Sequence, residues 1–150
     1  MTARIFQLAR SRGGVPKHAM PEAEVGELGL AGDIQKNTKI HGGPERALCL
    51  FSLEVIEKLQ REGHPIYPGS TGENVLIAGL DWSTLAAGTR LALGDAIVEL
   101  TRPAAPCKSI AASFLEGDHK RLGVPGEMRW YCRVVQTGML RVAMPVRVLD

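Results

Sequence analysis

Short runs of apolar residues recur along the chain and are separated by polar residues, glycine and proline. Three of these runs have the length and composition of β-strands, which are commonly about 3–10 residues long. They are ARIFQLA (3–9), ALCLF (47–51) and NVLIAG (74–79). Between the first two lies SRGGVPKHAMPEAEVGELG (11–29), which is too irregular to predict anything but a loop.

Two longer segments have the pattern of β-hairpins. Residues 89–102 place a Gly-Asp pair at 94–95 between two apolar arms, with glycine first as a type II′ turn requires. Segments 130–136 and 139–150 predict a second hairpin. Pro145 lies inside the last of these segments and confines that strand to a sheet edge or a bulge.

The segment after residue 51 has the periodicity of a helix. Ser52 is suited to cap the N-terminus of LEVIEKLQRE, Glu54 complements the positive end of the helix, and Gly63 ends it. The residues that recur on one face are Leu53, Ile56 and Leu59. A strand followed directly by a helix is therefore expected here.

The glycine and proline content favours a mainly β fold. Seventeen glycines and nine prolines in 150 residues cut the chain into short pieces, which suits five to seven strands with one or two helices. A β-barrel is the expected architecture because closure removes exposed strand edges, and an open sandwich is the alternative. The length predicts a single domain over residues 1–150.

Composition and charge exclude several classes of function. A net charge of +2, a pI near 8.5 and scattered basic residues do not indicate a nucleic-acid binder. The sequence contains no apolar run long enough to span a membrane and no secretory signal, so a cytoplasmic protein without membrane contact is expected. The three cysteines form no CxxC pair, which disfavours a disulfide framework or a structural zinc site.

Cys107, in the segment TRPAAPCKSI (101–110), is the candidate reactive residue. If the residues after Pro106 form a helix, Cys107 lies in its first turn, with Lys108 beside it and Arg102 five residues before it. Positive charge favours the reactive thiolate. The alternative is an inert buried thiol, which is the strongly preferred interpretation for Cys49 and Cys132 inside strand patterns.

Two further polar clusters offer binding groups. KNTKIHGGPERAL (36–48) contains His41 and Arg46, which could bind an anion, and its glycines Gly42 and Gly43 allow close approach of the backbone; a simple tight turn is the alternative. In GSTGENVLI (69–77), Glu73 and Asn74 could face a site, or could satisfy the backbone of the turn.

Taken in order, the motifs of this chain resemble the MOSC family, named for the C-terminal domain of molybdenum cofactor sulfurases. The resemblance covers about residue 26 to the end. Its motifs are GLAGD (29–33), HGGPERAL (41–48), GSTGENVLIAGLD (69–81), AAGTRLALGDAIVELTRPAAPC (86–107) and RVVQTG (133–138).

The resemblance implies a β-barrel-like fold in which Cys107 serves the molybdenum cofactor. The matching cysteine is thought to carry sulfur as a persulfide in sulfurases, and it ligates molybdenum in related reductases of N-hydroxylated compounds. A cysteine desulfurase or an electron-transfer protein is the corresponding partner. The cations expected to hold the phosphate of the pterin are His41, Arg46, Arg102 and Lys108.

This chain departs from the family pattern at one position close to Cys107. Many members have arginine shortly before the Pro-Cys pair, whereas this chain has Ala104 there and Arg102 two positions earlier. The competing hypothesis is a non-catalytic β-barrel module that binds a phosphate-bearing ligand or a partner protein. A thiol-redox enzyme of another kind is a weaker option, because no second cysteine is near Cys107 in sequence.

Overall fold

A computed structural model describes residues 2–33 and 43–149 of the chain. Within them the fold is mainly β, as the sequence predicts. The strands are β1 (Arg4–Arg10), β2 (His18–Met20), β3 (Glu22–Gly26), β4 (Gly29–Leu30), β5 (Leu48–Ser52), β6 (Val75–Ala78), β7 (Arg90–Leu93), β8 (Ala96–Ala104), β9 (Arg129–Gln136), β10 (Gly138–Arg141) and β11 (Val146–Leu149). One α-helix, α1 (Leu53–Arg61), is found in this part of the chain, together with 3₁₀ turns at Pro44–Arg46, Trp82–Thr84, Lys108–Ser113, Leu115–Gly117 and His119–Gly123.

The strands form two sheets. The larger sheet has eight strands in the order β11-β7-β8-β9-β5-β6-β1-β2, and the smaller one has the order β10-β3-β4. Strands β5 and β6 run parallel and are joined through α1, whereas the other pairs of the large sheet are antiparallel. Strand β9 therefore lies near the middle of the large sheet, between β8 and β5.

The expected closed barrel is not confirmed, because the large sheet has two ends, β11 and β2. The ends nevertheless come close to one another. The chain just before and at the start of β11 makes hydrogen bonds to β1: Ile5 N donates to Met144 O (2.9 Å) and Val146 N donates to Ala3 O (2.9 Å). These bonds join a short part of β1 to the opposite end of the sheet, and the strand ladder stops there.

The first predicted hairpin is confirmed and the second is wrong. Strands β7 and β8 pair directly, with Leu93 opposite Ala96 and Gly94 at a positive φ of 54°. In contrast, β10 pairs with β3 in the small sheet, and β11 pairs with β7 at the edge of the large one. A side chain at Gly138 would meet the carbonyl oxygen of Asp95 at 2.6 Å, so the chain passes close to the β7–β8 turn where it leaves β9 for the small sheet.

The helix forms where the sequence predicts it. The Ser52 hydroxyl accepts a hydrogen bond from Val55 N at 3.2 Å, which satisfies one free donor of the first turn. Residues Val55, Ile56 and Leu59 are buried against the sheet. Gly63 follows at a φ of 98°, a conformation that favours glycine.

The core lies between α1, the 3₁₀ segments and the inner face of the large sheet. Strands β5 and β6 are buried at every position, as expected for continuous apolar runs. The region 11–29, expected to be a loop, instead contains β2, β3 and the start of β4. These strands are two to five residues long, too short for apolar alternation to stand out in the sequence. None of the helices in the described residues is long and apolar enough to cross a membrane.

Candidate functional site

Cys107 lies in the connection between β8 and the 3₁₀ turn Lys108–Ser113, and it is the residue that caps this turn. Its backbone is extended (φ −133°, ψ 170°), and its carbonyl accepts a hydrogen bond from Ile110 N. The thiol is partly exposed and lies 2.7 Å from the Ser109 hydroxyl. The helix expected after Pro106 is thus a short 3₁₀ segment, which gives little help to a thiolate through a helix dipole.

The other two thiols lie inside the sheet, as expected. Cys49 in β5 and Cys132 in β9 are both buried. Burial raises the pKa of Cys132, and it raises that of Cys49 against the opposing positive charge of Arg129. Both side chains are therefore held as neutral thiols, which leaves Cys107 as the accessible one among the three cysteines.

Glu73 organises the loop before β6 from inside. Its carboxylate accepts hydrogen bonds from Gly69 N (2.7 Å), Thr71 N (3.3 Å) and the Thr71 hydroxyl (2.7 Å). The residue is 1% exposed, and burial raises its pKa against these hydrogen bonds and the charge of Arg129. Of the two roles considered for Glu73, the geometry supports the structural one, because both carboxylate oxygens accept hydrogen bonds from the turn.

Asn74 joins three parts of the chain at the adjacent position. Its side-chain oxygen accepts from Cys49 N (3.0 Å), and its amide nitrogen donates to Ala9 O (3.3 Å) and to an Asp33 carboxylate oxygen (3.0 Å). The same carboxylate forms a 2.7 Å ion pair with Lys17, with both side chains nearly buried. Asn74 therefore forms hydrogen bonds both to backbone groups of two other segments and to the carboxylate of a buried ion pair.

A guanidinium lies between this loop and the Cys107 loop. Arg129, at the start of β9, donates from Nη1 to Thr71 O (2.6 Å) and from Nη2 to Ala105 O (3.4 Å). It is 6% exposed, and its Nε has no hydrogen-bond partner among the residues that the structure describes. The arginine thus connects the segment that Glu73 holds to the segment that carries Cys107.

Cations and an aromatic ring complete this face of the sheet. Arg46, in the turn Pro44–Arg46, lies with its guanidinium carbon 5.8 Å from the ring centre of Tyr131. The Thr101 hydroxyl fixes that turn by donating to the carbonyl of Glu45 at 2.7 Å. Arg102 and Lys108 are exposed on either side of the Cys107 loop.

Tyr131 is a buried phenol on β9, next to Cys132 in the sequence. It is opposite Cys49 across the β5–β9 pair, and its pKa is raised to about 12, mainly by burial. Cys49 raises this pKa further and so does Cys107, whereas Arg129 and Arg102 oppose the rise. All of these groups are thus close enough to act on the same phenolic hydroxyl.

The described residues hold an open groove of about 770 Å³ along the small sheet. It runs between the β3–β4 hairpin and residues 137–139, and Asp33 lines one end of it. The described ranges contain no group of three or more His, Cys, Asp and Glu side chains able to hold a metal ion on their own.

The structure brings together many of the residues singled out from the sequence. Cys107, Glu73, Asn74 and Arg46 lie on elements that meet around β9, and the exposed residues Arg102 and Lys108 flank Cys107 in the sequence. Gly43 is at a φ of 91° and begins the turn that carries Arg46. His41 and Gly42 lie outside the described residues.

Sequence reasoning missed the residues whose role depends on burial. They are Arg129, Tyr131, Asp33 and Lys17. Asp33 closes the GLAGD motif and so had a signal in the sequence. Arg129 and Tyr131 had none, because a basic or aromatic residue at the start of a strand is common on surfaces and in cores.

Comparison with known proteins now decides the family. The family model described as the MOSC domain matches residues 37–147. The chain belongs to the MOSC domain family. This MOSC chain is 30% identical over 129 residues to the protein YiiM of Escherichia coli (strain K12), covering 83% of the chain and 58% of YiiM. It is also 30% identical over 124 residues to the uncharacterized protein YflK of Bacillus subtilis (strain 168), covering 79% of the chain and 55% of YflK.

A solved structure has the same fold. The crystal structure of YiiM from Geobacillus stearothermophilus superposes with a TM-score of 0.79 at 22% identity, over 99% of the MOSC chain and 75% of the other. The chain spans little more than half the length of the curated relatives it matches. What those whole proteins do therefore extends to this MOSC chain only as a proposal.

Proposed function

We propose that this MOSC domain binds molybdenum cofactor on the face that carries Cys107, and that the Cys107 thiol acts on the cofactor. The single observation that supports this most is the contrast among the three cysteines. Cys49 and Cys132 are buried in the sheet with raised pKa values, whereas Cys107 lies partly exposed in a loop between the cations Arg102 and Lys108. Only Cys107 is placed to meet a ligand.

The residues around Cys107 fit such a group. A soft thiolate suits a molybdenum centre as a ligand, and cations suit the phosphate of the pterin. Arg102 and Lys108 supply exposed positive charge, and Arg46 supplies more from its turn. When bound, the cofactor supplies the redox and sulfur-exchange chemistry of the metal, and the chain supplies the thiol and the charges that orient it.

Cys107 has two possible roles toward the cofactor. As a carrier, the Cys107 thiolate attacks the outer sulfur of a persulfide on a cysteine desulfurase, which leaves the desulfurase as a thiolate and Cys107 as the persulfide. As a ligand, the same thiolate binds molybdenum directly, and the domain serves a reductase of N-hydroxylated compounds that draws electrons from a partner protein. Both roles need an accessible thiol.

Metal and pterin analysis tests the proposal. The protein is purified from a host that makes the cofactor, and molybdenum and pterin are measured for the wild type, Cys107→Ser and Ser109→Ala. Ser109→Ala is the control because it removes the polar neighbour of the thiol and keeps the thiol. We expect molybdenum and pterin in near-equal amounts in the wild type and the control. Loss of both from Cys107→Ser supports a ligand.

Cyanide treatment tests the carrier role in the same proteins. After incubation with a cysteine desulfurase and cysteine, cyanide should release about one thiocyanate per chain from the wild type and none from Cys107→Ser. A wild type that holds neither molybdenum nor pterin and releases no thiocyanate contradicts the proposal. That result would leave the non-catalytic binding module, for which Cys107→Ser binds its ligand as well as the wild type does.

A further inference from the structure

Arg129 is a buried cation whose surroundings satisfy it only in part. The side chain is 6% exposed, and two of its nitrogens donate to the backbone carbonyls of Thr71 and Ala105. Its Nε–H is buried and has no acceptor within residues 2–33 and 43–149. No carboxylate of residues 2–33 and 43–149 forms an ion pair with it. Burying a charge without an ion-pair partner costs free energy, and an uncharged side chain could fill the same space without that cost.

The position of Arg129 relates it to Cys107. Ala105, whose carbonyl it contacts, lies two residues before Cys107 in the same loop. Arg129 and Cys107 also both act on the hydroxyl of Tyr131, in opposite directions. The guanidinium therefore contacts the loop that carries the thiol.

The neighbouring strand leaves room for the arginine. Ala104 is directly opposite Arg129 in the β8–β9 pair, and residues in that relation project their side chains from the same face of the sheet. Ala104 is fully buried and packs against Cys49 and Tyr131. Its methyl group takes little of the space beside the Cys107 loop, so Arg129 can place a charge there.

We infer that Arg129 is an anion-binding residue of the Cys107 site. The carbonyls of Thr71 and Ala105 fix the guanidinium, and its charge attracts an acidic group, a carboxylate or an oxyanion, on a ligand that reaches Cys107. The inference depends on Cys107 being the reactive thiol of the proposed function, and it does not depend on molybdenum. It limits the ligands of this site to molecules that carry negative charge near the reacting atom.

Two alkylating reagents of nearly equal size test the inference. Iodoacetate carries a negative charge and iodoacetamide does not, and both react with the thiolate. The rate of modification of Cys107 by each reagent is measured by peptide mass spectrometry, and the ratio of the two rates is compared between variants. Changes in thiol ionisation or loop mobility affect both rates alike and cancel in the ratio, so a merely structural role would not change it.

We expect Arg129→Met to lower the iodoacetate-to-iodoacetamide ratio about threefold to tenfold, the size of effect a nearby charge has on the encounter with a charged molecule. Arg129→Lys should keep most of the ratio. The matched control is Arg133→Met on the same strand, which loses a partly buried pair with Glu99 and should leave the ratio unchanged. Protection of Cys49 and Cys132 from both reagents verifies that each variant is folded.

A second variant keeps the test decisive if Arg129→Met does not fold. Arg129→Gln removes the charge and keeps a side-chain amide able to donate to a carbonyl. A ratio within twofold of the wild type in the folded charge-free variants overturns the inference. If the wild type contains no molybdenum or pterin and the ratio still falls, the proposed cofactor role fails and the anion-binding role of Arg129 stands.

Discussion

The strand pair β5–β9 and the loop at residues 105–107 hold the same chemical group in opposite ways. In the strands, Cys49 and Cys132 are enclosed by the sheet, and burial raises their pKa values. In the loop, Cys107 is partly exposed, and basic residues lie before and after it. The structural environment of a cysteine therefore determines whether its thiol packs inertly in the core or is accessible for reaction.

The largest expected effect is on the rate of thiol modification in the native protein. Iodoacetamide should label Cys107 at least about 100-fold faster than Cys132, because a core residue reacts only after an opening that costs several kcal/mol. Peptide mass spectrometry over a time course measures both rates. The same reaction in concentrated guanidinium should bring the rates together, and similar rates in the native protein would contradict the contrast between the two regions.

A smaller effect is expected on stability when the same substitution is made in both regions. Cys132→Ser should lower the free energy of unfolding by about 1–3 kcal/mol, because a hydroxyl is costlier to bury than a thiol. Cys107→Ser should change it by less than about 0.5 kcal/mol, because the site is partly exposed. Denaturant unfolding of the two variants measures the difference. Equal losses would mean that the Cys107 loop is as much a part of the core as β9.

The smallest expected effect concerns Tyr131, which lies in β9 and so belongs to the strand pair. Its pKa is raised from 10.0 to about 12, so the folded protein favours the neutral phenol. The stabilisation from this preference is complete below the ordinary pKa and is lost as the pH rises from about 10 to about 12. Thermal unfolding should therefore show a steeper fall in Tm over this range for the wild type than for Tyr131→Phe.

Absorbance titration gives an independent measurement for this residue. The protein has two tyrosines, so in Tyr131→Phe the tyrosinate signal should come from Tyr67 alone. The phase near pH 12 in the wild type should then disappear. A phase that survives the substitution would show that Tyr131 is not the buried phenol.

The sequence predicted elements whose signals are local. Strands β5 and β6 are continuous apolar runs, and α1 carries its own capping serine and terminal glycine. The pairing of β10 with β3 could not be read in the same way, because it joins residues more than a hundred positions apart and depends on the close approach of Gly138 to Asp95. A turn-like pair of residues between two apolar runs predicts a hairpin only when nothing else blocks the return.

The candidate site was predictable to a similar extent. Cys107 stood out because proline and basic residues surround it in the sequence, and the structure leaves it accessible. The sequence could not single out Arg129, because its role depends on its burial and on hydrogen bonds to two carbonyls that lie 58 and 24 residues away in the chain. Glu73 was considered for both a ligand-facing and a structural role, and only three-dimensional contacts show its oxygens on the loop backbone.

The hydrogen bonds that join Ile5 to Met144 and Ala3 to Val146 also impose an order on folding. During synthesis β1 is made well before the residues that cover this part of its outer edge, because those residues follow it by more than a hundred positions. Until then the edge offers free backbone donors and acceptors to any other extended chain nearby. A nascent chain of this protein therefore carries an exposed strand edge from the synthesis of β1 until Met144 and Val146 have been made.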